Sequence, residues 1–417
     1  MSQSFSKQEG TQKLLTEVQR RAFRFFWEQS DPHTGITKDR ASNTGSLKHY
    51  TVGSIASTGY ALASLPVAVE HGWISSRQGY DRASITLKYL YNRLPQVHGW
   101  YYHFVNLHTG AREWNCELSS IDTALLVTGA LIAGQEWPNT EVQKLARQIY
   151  ARVDWQWMLT NGGREPAKKL LSMGWTPEHG FLKGNWDSYC ELMELYLLGM
   201  GSPVHPLTRA SWNAWKRPVY SYKGLKTLQG GPIFLQQMAQ EFYNFHDWKD
   251  DLGWNYWQCS VAAMKIQRQF CIDHKFQHKG YGENGWGLNA SDGPAGYSAY
   301  GVPDPEDGTL SPTGAIAALP YTPVAALSDA GAVYHNYSGK LWGRYGFGDS
   351  YNPGKNWYDS DVIGIDLGMA LIGIEDARTG LIWKLMDSLP STQKAWREAG
   401  FTRISGREEY QLYISPH

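Results

Sequence analysis

The chain has 417 residues, and its 39 Lys and Arg are matched by 39 Asp and Glu, a formal net charge of zero. That balance supplies no basic footprint for nucleic acid or for an anionic membrane surface, and no apolar run is long enough to span a bilayer. Four cysteines without a C-x-x-C pair and 13 histidines without an H-E-x-x-H set argue against thiolate redox chemistry, a bound metal or another cofactor.

The first residues, MSQSFSKQEGTQKLL, lack the apolar core of a signal peptide. The expectation is a cytoplasmic protein, or a periplasmic or secreted one if an export signal has been removed. Nothing fixes the oligomeric state.

Apolar residues at three- and four-residue spacing predict helices at 11–29, 53–71, 76–94, 119–135 and 139–160. Further helices are expected at 186–201, 205–216, 231–246, 254–273, 312–337 (as two helices) and 366–387. Strand alternation is scarce. Ser119 reads as an N-cap with Asp122 three residues on, and Gly72, Gly134 and Gly201 fall at apparent helix exits. No linker or low-complexity run divides the chain, so residues 1–417 read as a single domain. About a dozen helices without a fixed repeat period predict an all-α toroid of helical hairpins, the (α/α)6 barrel, in preference to a solenoid. Two long connections, 274–311 and 339–365, are rich in Gly, Asp and aromatic residues and are expected to wall a cleft at one end.

The aromatic load is high, with 19 Trp and 25 Tyr. Trp286, Trp342, Tyr345 and Phe347 stand in Gly-rich loops, where any one ring can be a core plug. As a group flanked by Asp and Asn, they suit the stacking of sugar faces.

Among the acids, Glu191 lies in an almost wholly apolar segment, YCELMELYLLGM, read as a helix on which it shares a face with Leu195 and Leu198. A carboxyl there is either paired by an arginine or backbone groups, or kept protonated by desolvation and able to donate to a leaving oxygen. Glu194, three residues on, competes for the role. Asp122 is either the capping partner of Ser119 or a site residue, and Glu117 beside Trp114 could bind sugar hydroxyls at a cleft rim. Asp366, before the apolar run LGMALIGIE, reads as a helix cap, as a base that activates water, or as both. Asp292, Asp304, Glu306 and Asp307 crowd one loop, where Asp-Gly pairs are also ordinary turn chemistry. Calcium-loop, Walker, G-x-S-x-G and Rossmann patterns are absent.

The stretches SSIDTALL, YCELMELYLLGMGSPVHP, GPIF, YGENGWGLNASDGPAGY, PEDGTLSPTGA, LWGRYGFGDSYN, IGIDLG and ARTGLIWKL resemble, in order, the bacterial "putative glucoamylase" domain family, which includes the β-1,2-glucanases of glycoside hydrolase family 144. The resemblance runs from about residue 20 to about residue 400. It implies an (α/α)6 barrel and inverting hydrolysis of β-1,2-glucan or sophoro-oligosaccharides, with Glu191 as general acid and Asp366 as base through water. It also implies that Asp122, Trp286, Asp292, Tyr297, Asp307, Trp342, Phe347 and Asp349 line the sugar subsites. The chain departs from the family pattern at Cys190 (usually Asn), Leu367 (usually Gln) and Gly368-Met369 (often GP). A retaining transglycosylase and a non-catalytic glycan-binding protein are the competing readings, with β-glucan as partner in every case.

Overall fold

The computed structural model describes residues 2–45 and 49–404, with residues 2–9 and 11 described through their backbone only. Its helices alternate between an outer and an inner ring. The outer ring holds α1 (Ser2–Glu28), α3 (Ser76–Asn92), α5 (Glu141–Arg152), α7 (Arg209–Ala214), α9 (Tyr256–Asp273) and α11 (Pro323–Leu341). The inner ring holds α2 (Ile55–Glu70), α4 (Ser120–Glu136), α6 (Leu192–Gly201), α8 (Met238–Phe242), α10 (Pro312–Ile316) and α12 (Gly364–Arg378). The two rings differ because the sequence does. Outer α5 buries Val142, Leu145, Ala146, Ile149 and Tyr150, one stripe at helical spacing. Inner α6 and α10 are buried at every position, so their apolar residues have no polar face to present. The ring closes where α12 packs against both α1 and α2. This is the expected (α/α)6 barrel.

Helices α2 and α4 pack backbone against backbone because two glycines face each other. A Cβ on Gly59 would lie 2.3 Å from the Leu125 carbonyl oxygen, and one on Gly129 would lie 2.0 Å from that of Gly59.

Two further helices, α13 (Leu381–Asp387) and α14 (Pro390–Glu398), close one end of the toroid. They meet the C-terminal ends of inner helices: Gln135 of α4 donates to the Ser388 hydroxyl at 2.6 Å, and Lys394 donates to the Ser202 carbonyl just past α6 at 2.7 Å. The opposite end stays framed by short antiparallel ribbons. Strands Val52–Ser54, Leu118–Ser119 and Asp361–Ile363 run directly into α2, α4 and α12, and pair with Phe104–Asn106, Gly174–Thr176 and Arg40–Ser42 respectively. Each ribbon pins the N-terminus of an inner helix to a loop at the mouth.

Several sequence expectations are corrected. The predicted helix 139–160 ends at Arg152 and is followed by single-turn pieces. The 231–246 segment forms a 3-10 turn, Ile233–Gln236, before the short α8. Gly134 lies inside α4, where it makes room for α5: a Cβ there would sit 3.1 Å from that of Ala146. Gly72 does follow α2 with a left-handed φ of 67°.

Candidate active site at the mouth of the inner ring

The sequence reading put Glu191 within a helix; instead it precedes one. It occupies the N-cap position of α6, with helical φ and ψ of −59° and −10° and no side-chain cap bond, which places it at the mouth end of the helix. Its Oε2 is buried and accepts no hydrogen bond. Burial pushes its carboxyl up to about 7, with the nearby charge of Asp122 adding to the shift and the Cys190 thiol opposing it. Glu194 is fully buried inside the barrel, where the Thr128 hydroxyl donates to its Oε1 at 2.5 Å. That depth separates the two rivals: Glu194 lies below the mouth and Glu191 lies at it.

Asp122 follows Ser119, which caps α4 by accepting from the Asp122 N–H at 3.3 Å. The Ser119 hydroxyl in turn donates to Oδ2 of Asp122. The other carboxylate oxygen faces His103, whose Nε2 is 3.4 Å from Oδ1, while His103 Nδ1 is 3.0 Å from Oε1 of Glu117. Burial disfavours the imidazolium, but the charge of Asp122 and the hydrogen bond to Glu117 outweigh it and push His103 up to about 9. His103 therefore stands charged between two carboxylates at neutral pH.

Asp366 is the third residue of α12, whose cap position is Ile363, without any side-chain cap bond. The helix-cap account of Asp366 is thus set aside. Asp366 is 4% exposed, and Asn289 donates to its Oδ1 at 3.0 Å. Burial pushes Asp366 up to about 7; Asp349 hydrogen-bonds to it and opposes the shift, while Asp292 and Asp39 add negative charge. Asp349 is itself buried, accepts from the Asp292 N–H at 2.9 Å and is held well above the usual carboxylate range by burial. Arg40 supplies the counter-charge, with Nη1 at 2.7 Å from Asp292 Oδ2, and Tyr50 donates to Asp39 at 3.3 Å. Tyr297 is 60% exposed and overhangs this group; burial of its hydroxyl and the charges of Asp366, Asp349, Asp39 and Asp292 raise its pKa. Oxygens of Asp292, Asp349 and Asp359 lie within 4.8 Å of one another, so these three could hold a hard cation, although Arg40 already engages Asp292.

The mouth thus gathers Asp122 and Glu117 around His103 with Glu191 beside Asp122, and Asp366, Asp349 and Tyr297 around Asp292, which Arg40 pairs. Other expected site residues lie elsewhere. Trp286 and Phe347 are each 1% exposed and present no free ring face, because they fill the core. Trp342 packs edge-on against Phe347 and Tyr334 beneath the guanidinium of Arg21, on the outer ring. Asp307 pairs with Lys355 at 2.7 Å and accepts from the Thr309 N–H, which organises its own loop. Sequence reasoning missed Asp39, Arg40, His103, Asn289 and Asp359. Asn289 stands within the stretch YGENGWGLNASDGPAGY, three residues before Asp292, whereas Asp39, Arg40, His103 and Asp359 lie outside every matched stretch and join the site only through the ribbons and long loops.

Fold and acid set together define a class: a closed double ring of helices with carboxyls at the N-terminal mouth of its inner ring. The model of a family described as "Putative glucoamylase" matches residues 183–390, the part of the chain that runs from just before Glu191 through Asp366. A curated relative, an exo β-1,2-glucooligosaccharide sophorohydrolase (non-reducing end) from Parabacteroides distasonis, is 26% identical over 92% of this chain and 57% of that protein. The chain therefore spans little more than half of that relative's length. An endo-β-1,2-glucanase from Chitinophaga pinensis superposes with a TM-score of 0.87 at 26% identity, over 94% of this chain and 98% of the other. A protein from Bacteroides uniformis described as a putative glucoamylase gives 0.86 at 28% identity, again over 94% and 98%.

Proposed function

We propose that the chain is an inverting glycoside hydrolase acting on β-1,2-glucan or sophoro-oligosaccharides. The relatives' activities support the substrate class. The observation that carries the chemistry is the state of Glu191: a carboxyl at the barrel mouth, shifted up to about 7, with one oxygen buried and unpartnered. Such a group holds its proton near neutrality and has it available for a glycosidic oxygen.

In this reading Glu191 protonates the leaving oxygen as the bond to the anomeric carbon breaks. Asp366, oriented by Asn289, takes a proton from the water that attacks the opposite face of the ring. Asp292, Asp349 and Tyr297 hold sugar hydroxyls on the base side, and Asp122 and Glu117 do so on the acid side. Burial keeps Glu191 protonated, and the negative charge of Asp122 adds to the effect.

The test is Glu191→Gln assayed on β-1,2-glucan, with NMR of the first-formed anomer in the parent enzyme. The expected outcome is α-configured product from the parent and a loss of about 10²–10⁴-fold in kcat in the variant. A first product that keeps the β configuration would replace inversion by transglycosylase-type retention. Full activity of the variant would remove Glu191 from the acid role.

A further inference from the structure

Among the described residues Trp114 is the one exposed tryptophan, with 61% of its surface accessible. It stands in the loop between α3 and α4, on the acid side of the mouth. Its backbone is left-handed with φ of 52°, and that of Asn115 follows at 51°. Two successive residues with side chains in this region need external support.

Arg112 provides that support. Its guanidinium donates to the carbonyls of Asn115 and Cys116, each at 2.5 Å, and engages Glu178 with two bonds of 2.7 and 3.1 Å. Glu178 belongs to the next long connection, between α5 and α6, so the clamp spans two loops of the rim. A ring displayed on a braced, strained turn is held in place before anything binds it.

What lies behind the ring indicates its use. Phe104 packs against Trp114 with centroids 4.9 Å apart, and His103 stacks on Phe104 at 3.8 Å. His103 then reaches Glu117 and Asp122. An aromatic face thus continues into a charged, hydrogen-bonding edge that leads toward Glu191, while the Asp366 group lies across the mouth. A pyranose pairs a C–H face with a rim of hydroxyls, which matches this sequence of surfaces.

We propose that Trp114 is the platform of a leaving-group subsite: a β-linked glucose unit beyond the cleaved bond stacks on its indole and directs hydroxyls to Glu117. This inference rests on the proposed glucan substrate. It assigns the Phe104–Trp114 side to the aglycone and the Tyr297–Asp292 side to the unit that is hydrolysed.

The test uses isothermal calorimetry on the Glu191→Gln protein with a β-1,2-linked glucopentaose. Adding Trp114→Ala is expected to weaken binding by about five- to tenfold, with Trp114→Phe recovering most of the loss. The ring is exposed, so folding is not at stake, and a melting curve checks this. Equal affinity in the Ala variant and its parent would overturn the subsite while leaving the hydrolase reading intact. No binding of the pentaose by Glu191→Gln itself would instead bring down the substrate reading, and the subsite with it.

Discussion

Asn289 donates its side-chain amide to Oδ1 of Asp366 at 3.0 Å, and its own Oδ1 accepts from the Phe234 N–H at 3.1 Å. The second bond settles which end of the amide faces the carboxylate: with Oδ1 committed to a backbone donor, Nδ2 must point at Asp366. The loop carrying Asn289 thereby sets the orientation of a group on another element.

Replacing Asn289 by Ala removes that donor and strands the Phe234 N–H. Hydrogen bonds to charged groups contribute about 1.5–3 kcal/mol, so kcat/KM on β-1,2-glucan is expected to fall by about ten- to a hundredfold. Asn289→Asp would place a carboxylate against a carboxylate and raise Asp366 further. Its acid flank in a pH–rate profile should move to higher pH. An unmoved flank would mean that Asp366 is not the group titrating there.

Glu191 and Asp366 are both shifted up to about 7 but are needed in opposite states. Activity falls below the Asp366 value as the base takes a proton, and above the Glu191 value as the acid loses one. The profile of kcat/KM should therefore be a narrow bell around neutrality whose flanks report the pair's macroscopic values. Asp122→Asn withdraws a negative charge that favours protonated Glu191, so the alkaline flank should move to lower pH. Rates measured from about pH 4 to about pH 10 would show a flat plateau if this assignment is wrong.

Glu194 is pushed up to about 8 by burial inside the barrel. A carboxyl whose native pKa exceeds its unfolded value contributes stability that is complete below the unfolded pKa and fades as pH rises through the folded one. The protein should thus lose stability between the ordinary Glu range and about pH 8 on this group's account. Glu194→Gln keeps the shape without the titration. Its melting temperature relative to the parent should be higher at pH 8 than at pH 5, and catalysis should persist. A constant difference across that range would show that Glu194 does not hold its proton.

Gly129→Ala drives a methyl group against the Gly59 carbonyl of the neighbouring helix, 2.0 Å from its oxygen. Backbone is the obstacle, so no side-chain rotation relieves it. Overpacking of this kind costs about 1–3 kcal/mol, to be read from denaturant unfolding. An unchanged midpoint would mean that α2 and α4 can separate at little cost.

Much of this was present in the order of residues. Apolar periodicity delivered the helices, and the almost wholly apolar run around Glu191 marked a helix that the structure buries at every position. Glu191 and Asp366 stood out because an acid beside a run that must be buried needs a reason. The tertiary structure decided what local pattern could not: that Glu191 stands at the start of its helix and not within it, that Trp286 and Phe347 fill the core, and that His103 meets Asp122 and Glu117 while Arg40 meets Asp292 across 252 positions of chain. Periodicity is a property of neighbours along a helix and can be read one residue after another. A charge pair between distant loops exists only once the ring has closed and the ribbons have fixed where each loop ends.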